Sequence, residues 1–289
     1  MKIAVIGANG QLGQDVAAAL EGRRHAVSRL THAEIEICDA ANVRGVLAAL
    51  KPDLVVNTAA MLQVDQAEDE PGRAFAVNAL GVRNLARLAG EQDFALLEFG
   101  TDYVFDGEKA APYVESDAPR PLGVYAASKL AGEYFVRAHA PRHFVVRVSG
   151  IYGAAPCRGK QGENFVLTML RLAKERGAVS VVEDEILTPT YTADIAARVA
   201  DLVATKAYGL YHLTAEGRCS WYEFTRAIFD LAKVDAALTP TTRDRFPTNA
   251  KRPAFSVLEN AALALTGVAP MPDWRDGLAR YLTAIGRAA

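Results

Sequence analysis

The first thirteen residues restrict the fold more than any other part of the chain. A β-branched run, Lys2 to Ile6, passes through Gly7, Gly10 and Gly13 directly into an apolar-periodic stretch, Gln11 to Leu20. A simple turn does not need three glycines. Without side chains, backbone N–H groups can approach an anion at the N-terminus of the following helix. The spacing is GxxGxxG rather than the general GxGxxG, so two readings remain: a dinucleotide pyrophosphate over Gly7, Asn9, Gly10, Gln11, Leu12 and Gly13, or a tight turn with no ligand. The strand–turn–helix setting favours the dinucleotide.

The same unit then repeats. HAVSRL precedes a helical pattern at 40–50, DLVVNTAA precedes one at 71–88, FALLEFG leads through a Pro- and Gly-rich acidic loop to one at 124–138, and HFVVRVSG follows. Alternating strands and helices give an α/β fold, a Rossmann-type doubly wound parallel sheet of at least five strands buried on both faces. Past Gly150 the alternation loosens, with helices expected at 164–175, 193–204, 221–233 and 274–285. The expected division is a nucleotide-binding domain at 1–150, with 190–215 returning to it, and a smaller substrate-binding cap at 151–189 and 216–289. VVEDEILTPT and TRDRFPTNAKRPAFS read as pocket walls.

Composition narrows the partners. Thirty-two basic and 34 acidic residues are spread without single-sign blocks, for a net charge of -2, so neither nucleic acid nor an anionic membrane is expected. Three cysteines, Cys38, Cys157 and Cys219, lack CxxC spacing and fit small packing residues in a reducing, cytoplasmic setting. The apolar run at the N-terminus is too short for a signal segment. No metal is expected: His139 and His143 are separated by Pro141, which interrupts the helix such a pair would need.

Tyr125 and Lys129 are four apart on a predicted helix and share a face. A phenol titrates near pH ~10, too high for efficient proton exchange at neutral pH, and a neighbouring ammonium together with a cationic nicotinamide is expected to favour the phenolate and lower that value. Thr101 ends the strand FALLEFGT at the sheet's carboxyl edge, where it either hydrogen-bonds a substrate oxygen or caps the next turn. At the end of the second strand, Arg29 stands with no acid before Glu34, which favours NADPH over NADH. Asp39 is expected beneath the adenine. Ser220 reads as an N-cap, with Trp221 and Tyr222 in the core of the cap.

These pieces resemble the extended short-chain dehydrogenase/reductases and, among them, the dTDP-4-dehydrorhamnose reductases. The resemblance runs through GANGQLG, VVNTAA, VDQAEDEP, FAVNALGVRNLA, TDYVFDG, YAASKLAGE, LTPTYTADIA and RPAFSVLEN, nearly the whole chain. It implies that Thr101, Tyr125 and Lys129 form the catalytic set. Tyr125 would protonate a C4 oxygen and Lys129 hold the nicotinamide ribose. Asn57, Ala59 and Ala60 would line the cofactor, with Asn78 supporting the active-site helix beside it. Val64, Asp102, Tyr103 and Phe105 would surround the sugar. Arg252, in KRPAFS, would meet the nucleotide diphosphate. Related dehydratases carry Thr-Asp-Glu where this chain has Tyr103 after Asp102, so reduction is expected rather than elimination.

The implied reaction is NAD(P)H-dependent reduction of a 4-keto-6-deoxy sugar nucleotide, dTDP-4-dehydro-L-rhamnose to dTDP-L-rhamnose, with a homodimer as the candidate assembly. Members of the family can hold Mg²⁺ between subunits, but no residue here maps to that role. Two alternatives stand: a different keto-sugar nucleotide, or an NADP-binding regulatory subunit resembling the methionine adenosyltransferase β subunit. The departures from the resembling reductases point to the sugar side: Gly100 replaces a serine, Gly150 an aromatic residue, Glu185 a glutamine, and Met61 a tyrosine or histidine. Gly100 and Gly150 are therefore expected to reshape the sugar wall.

Overall fold

The computed structural model describes residues 1–157 and 162–288. The first half alternates: β1 Lys2–Ile6, α1 Gln11–Gly22, β2 Ala26–Leu30, α2 Ala40–Leu50, β3 Leu54–Asn57, α3 Val64–Asp69, α4 Pro71–Phe75, α5 Val82–Gln92, β4 Ala95–Thr101, α6 Val124–His139 and β5 His143–Val148. The second half holds β6 Ile151–Tyr152, α7 Phe165–Arg176, β7 Ala178–Val182, β8 Ile186–Leu187, β9 Thr190–Tyr191, α8 Thr192–Thr205 and β10 Gly209–His212. It ends with β11 Cys219–Ser220, α9 Trp221–Ala232, β12 Ala237–Thr241, α10 Ala261–Ala264 and α11 Trp274–Ala284.

Six strands form one parallel sheet in the order β10-β5-β4-β3-β1-β2. The chain turns one way from β1 to β2 and the other from β3 to β5, so the switch point lies between β1 and β3. The carboxyl ends of the strands at a switch point are the usual ligand position in an open α/β sheet. Side-chain alternation makes two cores. Ile3, Val5, Leu97, Phe99 and Val146 pack against α1 and α8, whereas Ala4, Ile6, Val55, Leu96 and Val145 pack against α2, α5 and α6.

A third core joins α7, α9 and α11 around Phe224, Trp274 and Tyr281. The helices start where the sequence supplies caps: Asn164 accepts from the Leu167 N–H, Ser220 and Glu223 form a reciprocal capping box, and Asp273 accepts from Arg275. Trp221 packs on Phe165 with ring centroids 4.4 Å apart. Leu263 and Met271, late in the chain, return to the core under α1 and α8.

Two local expectations change. Only Cys219 is buried; Cys38 is exposed and Cys157 half-buried, because the 38–39 connection runs over the surface into α2. The helical stretch at 71–88 is broken by a π-turn, Ala76–Gly81, whose wider winding brings Asn78 into the interior. Among the described residues no helix is long and apolar enough to cross a membrane.

Candidate active site

The glycine turn lies at the switch point. Gly7 has φ +75°, and a Cβ there would stand 2.7 Å from Thr58 Oγ1; one on Gly13 would stand 2.3 Å from the Gly7 carbonyl. The turn and the end of β3 therefore touch through backbone, and a side chain would force them apart. Helix α1 opens at Gly10 with no side-chain cap, leaving the first-turn N–H groups for an anion. This Cβ-free cradle fits a dinucleotide pyrophosphate. Asn9 is half-buried on the turn. Two side chains named with the cradle point elsewhere: Gln11 donates to the carbonyls of Gly153 and Ala155, both at 2.9 Å, and Leu12 is buried in the core. Only their main chain remains for a phosphate.

The end of β2 differs from expectation. Both Glu21 oxygens hold the Arg29 guanidinium, at 2.9 and 2.8 Å, so the cation is already paired. Glu34 folds back to accept from the Thr31 N–H at 2.7 Å. Asp39 caps α2 by accepting from Ala41 and Asn42 at 2.8 and 3.1 Å, which commits one carboxylate oxygen to the helix.

At the ends of β3 and β4 the polar groups converge. Thr101, Tyr125 and Lys129 lie together: the Tyr125 hydroxyl hydrogen-bonds Thr101, and Lys129 follows one turn along α6. Lys129 Nζ donates to Glu98 Oε1 at 2.7 Å, with both side chains almost wholly buried. Asn57 donates to Glu98 Oε2 at 2.6 Å, and its Oδ1 accepts from the Ala59 N–H at 3.2 Å. Ala59 and Ala60 line the same turn, half-buried.

Burial raises the Tyr125 phenol above its ordinary value; Lys129 and Thr101 pull it down, and Asp102 and Glu98 push it up. Desolvation of the phenolate here outweighs the ammonium, which is already paired with Glu98; the expected lowering also drew on the charge of a nicotinamide. A protonated phenol at neutral pH is the state a proton donor needs.

Asn78 has no exposed surface and makes no room for a cofactor contact. Its Nδ2 donates to Met61 O and to Ser128 Oγ, both at 3.1 Å, and its Oδ1 accepts from the Met61 N–H at 2.8 Å, which pins α6 to the β3 turn. Met61 is thereby fixed as well.

Of the residues expected around the sugar, Asp102 is buried and its carboxyl is pushed up to about 6 by burial, against hydrogen bonds from Ser256, Ser149 and Thr101. Tyr103 meets Tyr125 edge-on with ring centroids 6.2 Å apart, and Val64 opens α3 half-buried. Phe105 is a correction: it is fully buried, stacked on Tyr113 at 4.1 Å and covered by the Arg147 guanidinium at 5.2 Å. No surface is left on it for a sugar.

Arg252 lies against α3, where Asp65 Oδ2 accepts from it at 2.6 Å and the Tyr103 and Glu185 groups lie close enough to act on its charge. Asp65 also accepts from the Ala250 N–H, and Glu68 from the Val124 N–H, so α3 ties the 249–252 segment to α6. Glu185 is half-buried, and the indole of Trp221 donates to it.

The two glycines expected to reshape the sugar wall have structural reasons of their own. A Cβ on Gly100 would meet Glu133 Oε1 at 2.4 Å and Arg147 Cγ at 2.9 Å, on the α6 side of the sheet. Gly150 has φ +52°, and a Cβ there would meet Leu187 Cδ1 at 2.8 Å. Neither position can accept a side chain without displacing its neighbours.

Fold and site together define the class, a Rossmann-type NAD(P)H-dependent oxidoreductase with its glycine turn at the switch point of the sheet and its polar groups at the ends of β3 and β4. Within that class the chain belongs to the family described as RmlD substrate binding domain, whose sequence profile matches residues 1–286. It is 39% identical to the dTDP-4-dehydrorhamnose reductase of Aggregatibacter actinomycetemcomitans, over 96% of this chain and 97% of that protein. The solved dTDP-4-dehydrorhamnose reductase of Bacillus anthracis, in complex with NADP, is 37% identical with a TM-score of 0.93, over 98% of this chain and 99% of that one. That of Clostridium acetobutylicum is 38% identical with a TM-score of 0.94, over 99% and 100%.

Sequence reasoning passed over Glu98, Glu133 and Arg147. A lone acid in FALLEFG and a lone arginine in HFVVRVSG were the available signals. A charge in a strand buried on both faces demands a partner.

Proposed function

We propose that the chain reduces the C4 ketone of a dTDP-linked 4-keto-6-deoxy sugar, converting dTDP-4-dehydro-L-rhamnose to dTDP-L-rhamnose with NADPH as reductant. The observation that carries this reading is the half-buried Tyr125, its hydroxyl hydrogen-bonded to Thr101 and one helical turn from Lys129, beside a glycine cradle free of side chains. Membership in the family and the NADP complex of the Bacillus anthracis relative support it.

The cradle of Gly7, Gly10 and Gly13 and the uncapped start of α1 hold the pyrophosphate. Asn57, Ala59 and Ala60 line the nicotinamide half, and Lys129 holds its ribose. Bound NADPH supplies the hydride that adds to the carbonyl carbon. Tyr125 gives its proton to the carbonyl oxygen, so the C=O double bond becomes C–H and O–H. Thr101 hydrogen-bonds the same oxygen and orients it. The phenolate left behind is costly in a buried site, and the adjacent ammonium of Lys129 stabilises it until solvent restores the proton. Arg252, released from Asp65 or shared with it, faces the diphosphate. Tyr103 stands where a dehydratase needs a second acid, and a phenol whose ionisation burial suppresses does not serve as a base.

The test is NADPH oxidation with dTDP-4-dehydro-L-rhamnose. Turnover is expected in the wild type and a fall of about 10²–10⁴-fold in kcat in Tyr125→Phe, with NADPH binding retained. Undiminished turnover in that variant removes the proton-donor role, and NADPH binding without turnover on any 4-keto-sugar nucleotide removes the reductase reading.

A further inference from the structure

The two oxygens of Glu98 are divided between two elements of the site. Oε1 takes the Lys129 ammonium of α6 at 2.7 Å and Oε2 takes the Asn57 amide of β3 at 2.6 Å. Asn57 then holds the Ala59 N–H at 3.2 Å, so an unbroken chain of contacts runs from the buried lysine to the half-buried turn beside the glycine cradle. We propose that Glu98 is a positioning residue that locks the Lys129 ammonium to the Asn57 turn, fixing the place of the lysine and cancelling its charge beside Tyr125. The proposal rests on the reductase reading above.

A carboxylate is the side chain that suits this position. It offers acceptors on both oxygens, one to an ammonium and one to an amide NH₂. Glutamine in its place would set NH₂ against the NH₂ of Asn57. Turning Asn57 over would then break its bond to Ala59. A lysine that only needed a counterion does not require the second bond.

The charges around Glu98 close the argument. From α6 it faces Lys129, Tyr125 and Glu133; from β3, Asn57; and on β5, Arg147 is bound by Glu133 through contacts of 3.1, 3.1 and 2.7 Å. Arg147 and Glu133 cancel one another, and Asp102 adds a further negative influence on Tyr125. Glu98 is what remains to balance Lys129. Burial raises the Glu98 carboxyl and Lys129 opposes it, while Glu98 raises the ammonium against burial. Removing the charge of Glu98 leaves Lys129 uncompensated, which favours the Tyr125 phenolate and lowers the pH at which the proton donor is lost.

Glu98→Gln and Glu98→Asp in the full chain test this, with NADPH affinity read by nucleotide fluorescence and kcat/KM followed against pH. Glu98→Gln is expected to bring the alkaline limb down by about one pH unit and to weaken NADPH about tenfold. Glu98→Asp keeps the charge and loses reach, so its limb stays at the wild-type position while NADPH weakens. A Glu98→Gln profile superimposable on wild type overturns the proposal. If that variant does not fold, wild-type NADPH affinity in Glu98→Asp overturns it instead. Turnover surviving in Tyr125→Phe would strike the proton-donor role alone, because the NADPH titrations do not depend on activity.

Discussion

Gly100→Ala separates a packing role from a sugar-wall role at a position where the sequence favoured the second. The new methyl would lie 2.4 Å from Glu133 Oε1, 2.9 Å from Arg147 Cγ and 3.3 Å from Glu133 Cδ. Ordinary carbon contacts lie near ~3.5 Å, so the carboxylate must withdraw by about 1 Å. It has nowhere wet to go. The Glu133 and Arg147 side chains are 3% and 2% exposed, and Arg147 Nη1 already lacks a partner.

Overpacking alone costs about 1–3 kcal/mol, and losing one charge-assisted hydrogen bond of the pair costs about 1.5–3 kcal/mol. A total near ~3 kcal/mol corresponds to a fall of about 6 °C in Tm for a chain of this size. The assay is thermal unfolding by circular dichroism alongside the KM for the sugar nucleotide. The melting point should fall while KM stays within twofold. In a Glu133→Ala, Arg147→Ala background, the same substitution should cost less than about 1 kcal/mol, because the atoms it strikes are gone. A Gly100→Ala protein that melts with the wild type but needs several-fold more sugar would refute the packing argument and return Gly100 to the substrate wall.

Asp102 gives a pH signature. Its carboxyl is raised from 3.8 to about 6 by burial, so its contribution to stability is complete below pH 3.8 and lost as pH rises through 6. Against Asp102→Asn, wild type should lose up to about 3 kcal/mol between pH 4 and 7.5 in denaturant melts; a constant difference across that range would sink the assignment. At the cofactor end, Glu21→Gln should free Arg29 and raise NADPH affinity a few-fold while leaving NADH unchanged, an exposed pair being worth only about 0–1 kcal/mol. Equal changes for the two nucleotides in paired titrations would show that Arg29 does not face the ribose phosphate.

The parts legible in the sequence were those fixed by local rules. Apolar runs bounded by turns marked β1 to β5, and Ser220 marked a helix start, because caps and periodicity act within a few residues. Non-local geometry left fainter marks. The parallel pairing of β7 with β12 joins Ala178 to Ala237 across most of the cap, and no composition signal announces it. The π-turn at Ala76–Gly81 adds a residue to a helix without altering its apolar pattern, yet it sets Asn78 against Ser128. Phe105 followed its motif to the sugar, whereas stacking on Tyr113 turned it to the core.

Helix α6 shows why the site was only half readable. Its Tyr125 and Lys129 are a recognisable pair, but Glu133 continues the same four-residue step into the sheet. Glu98 and Gly100 alternate on β4 with Arg147 opposite on β5, so one sheet face offers an acid, a gap and a base to a helix that brings a base and an acid. Each charge is unaffordable alone in a strand buried on both sides. The pairing therefore fixes the register of α6 on β4: sliding the helix by one turn would set Lys129 beside Arg147 and Glu133 beyond both. The groups that hold the Tyr125 and Lys129 pair in place are thus the same groups that tell the helix where to lie.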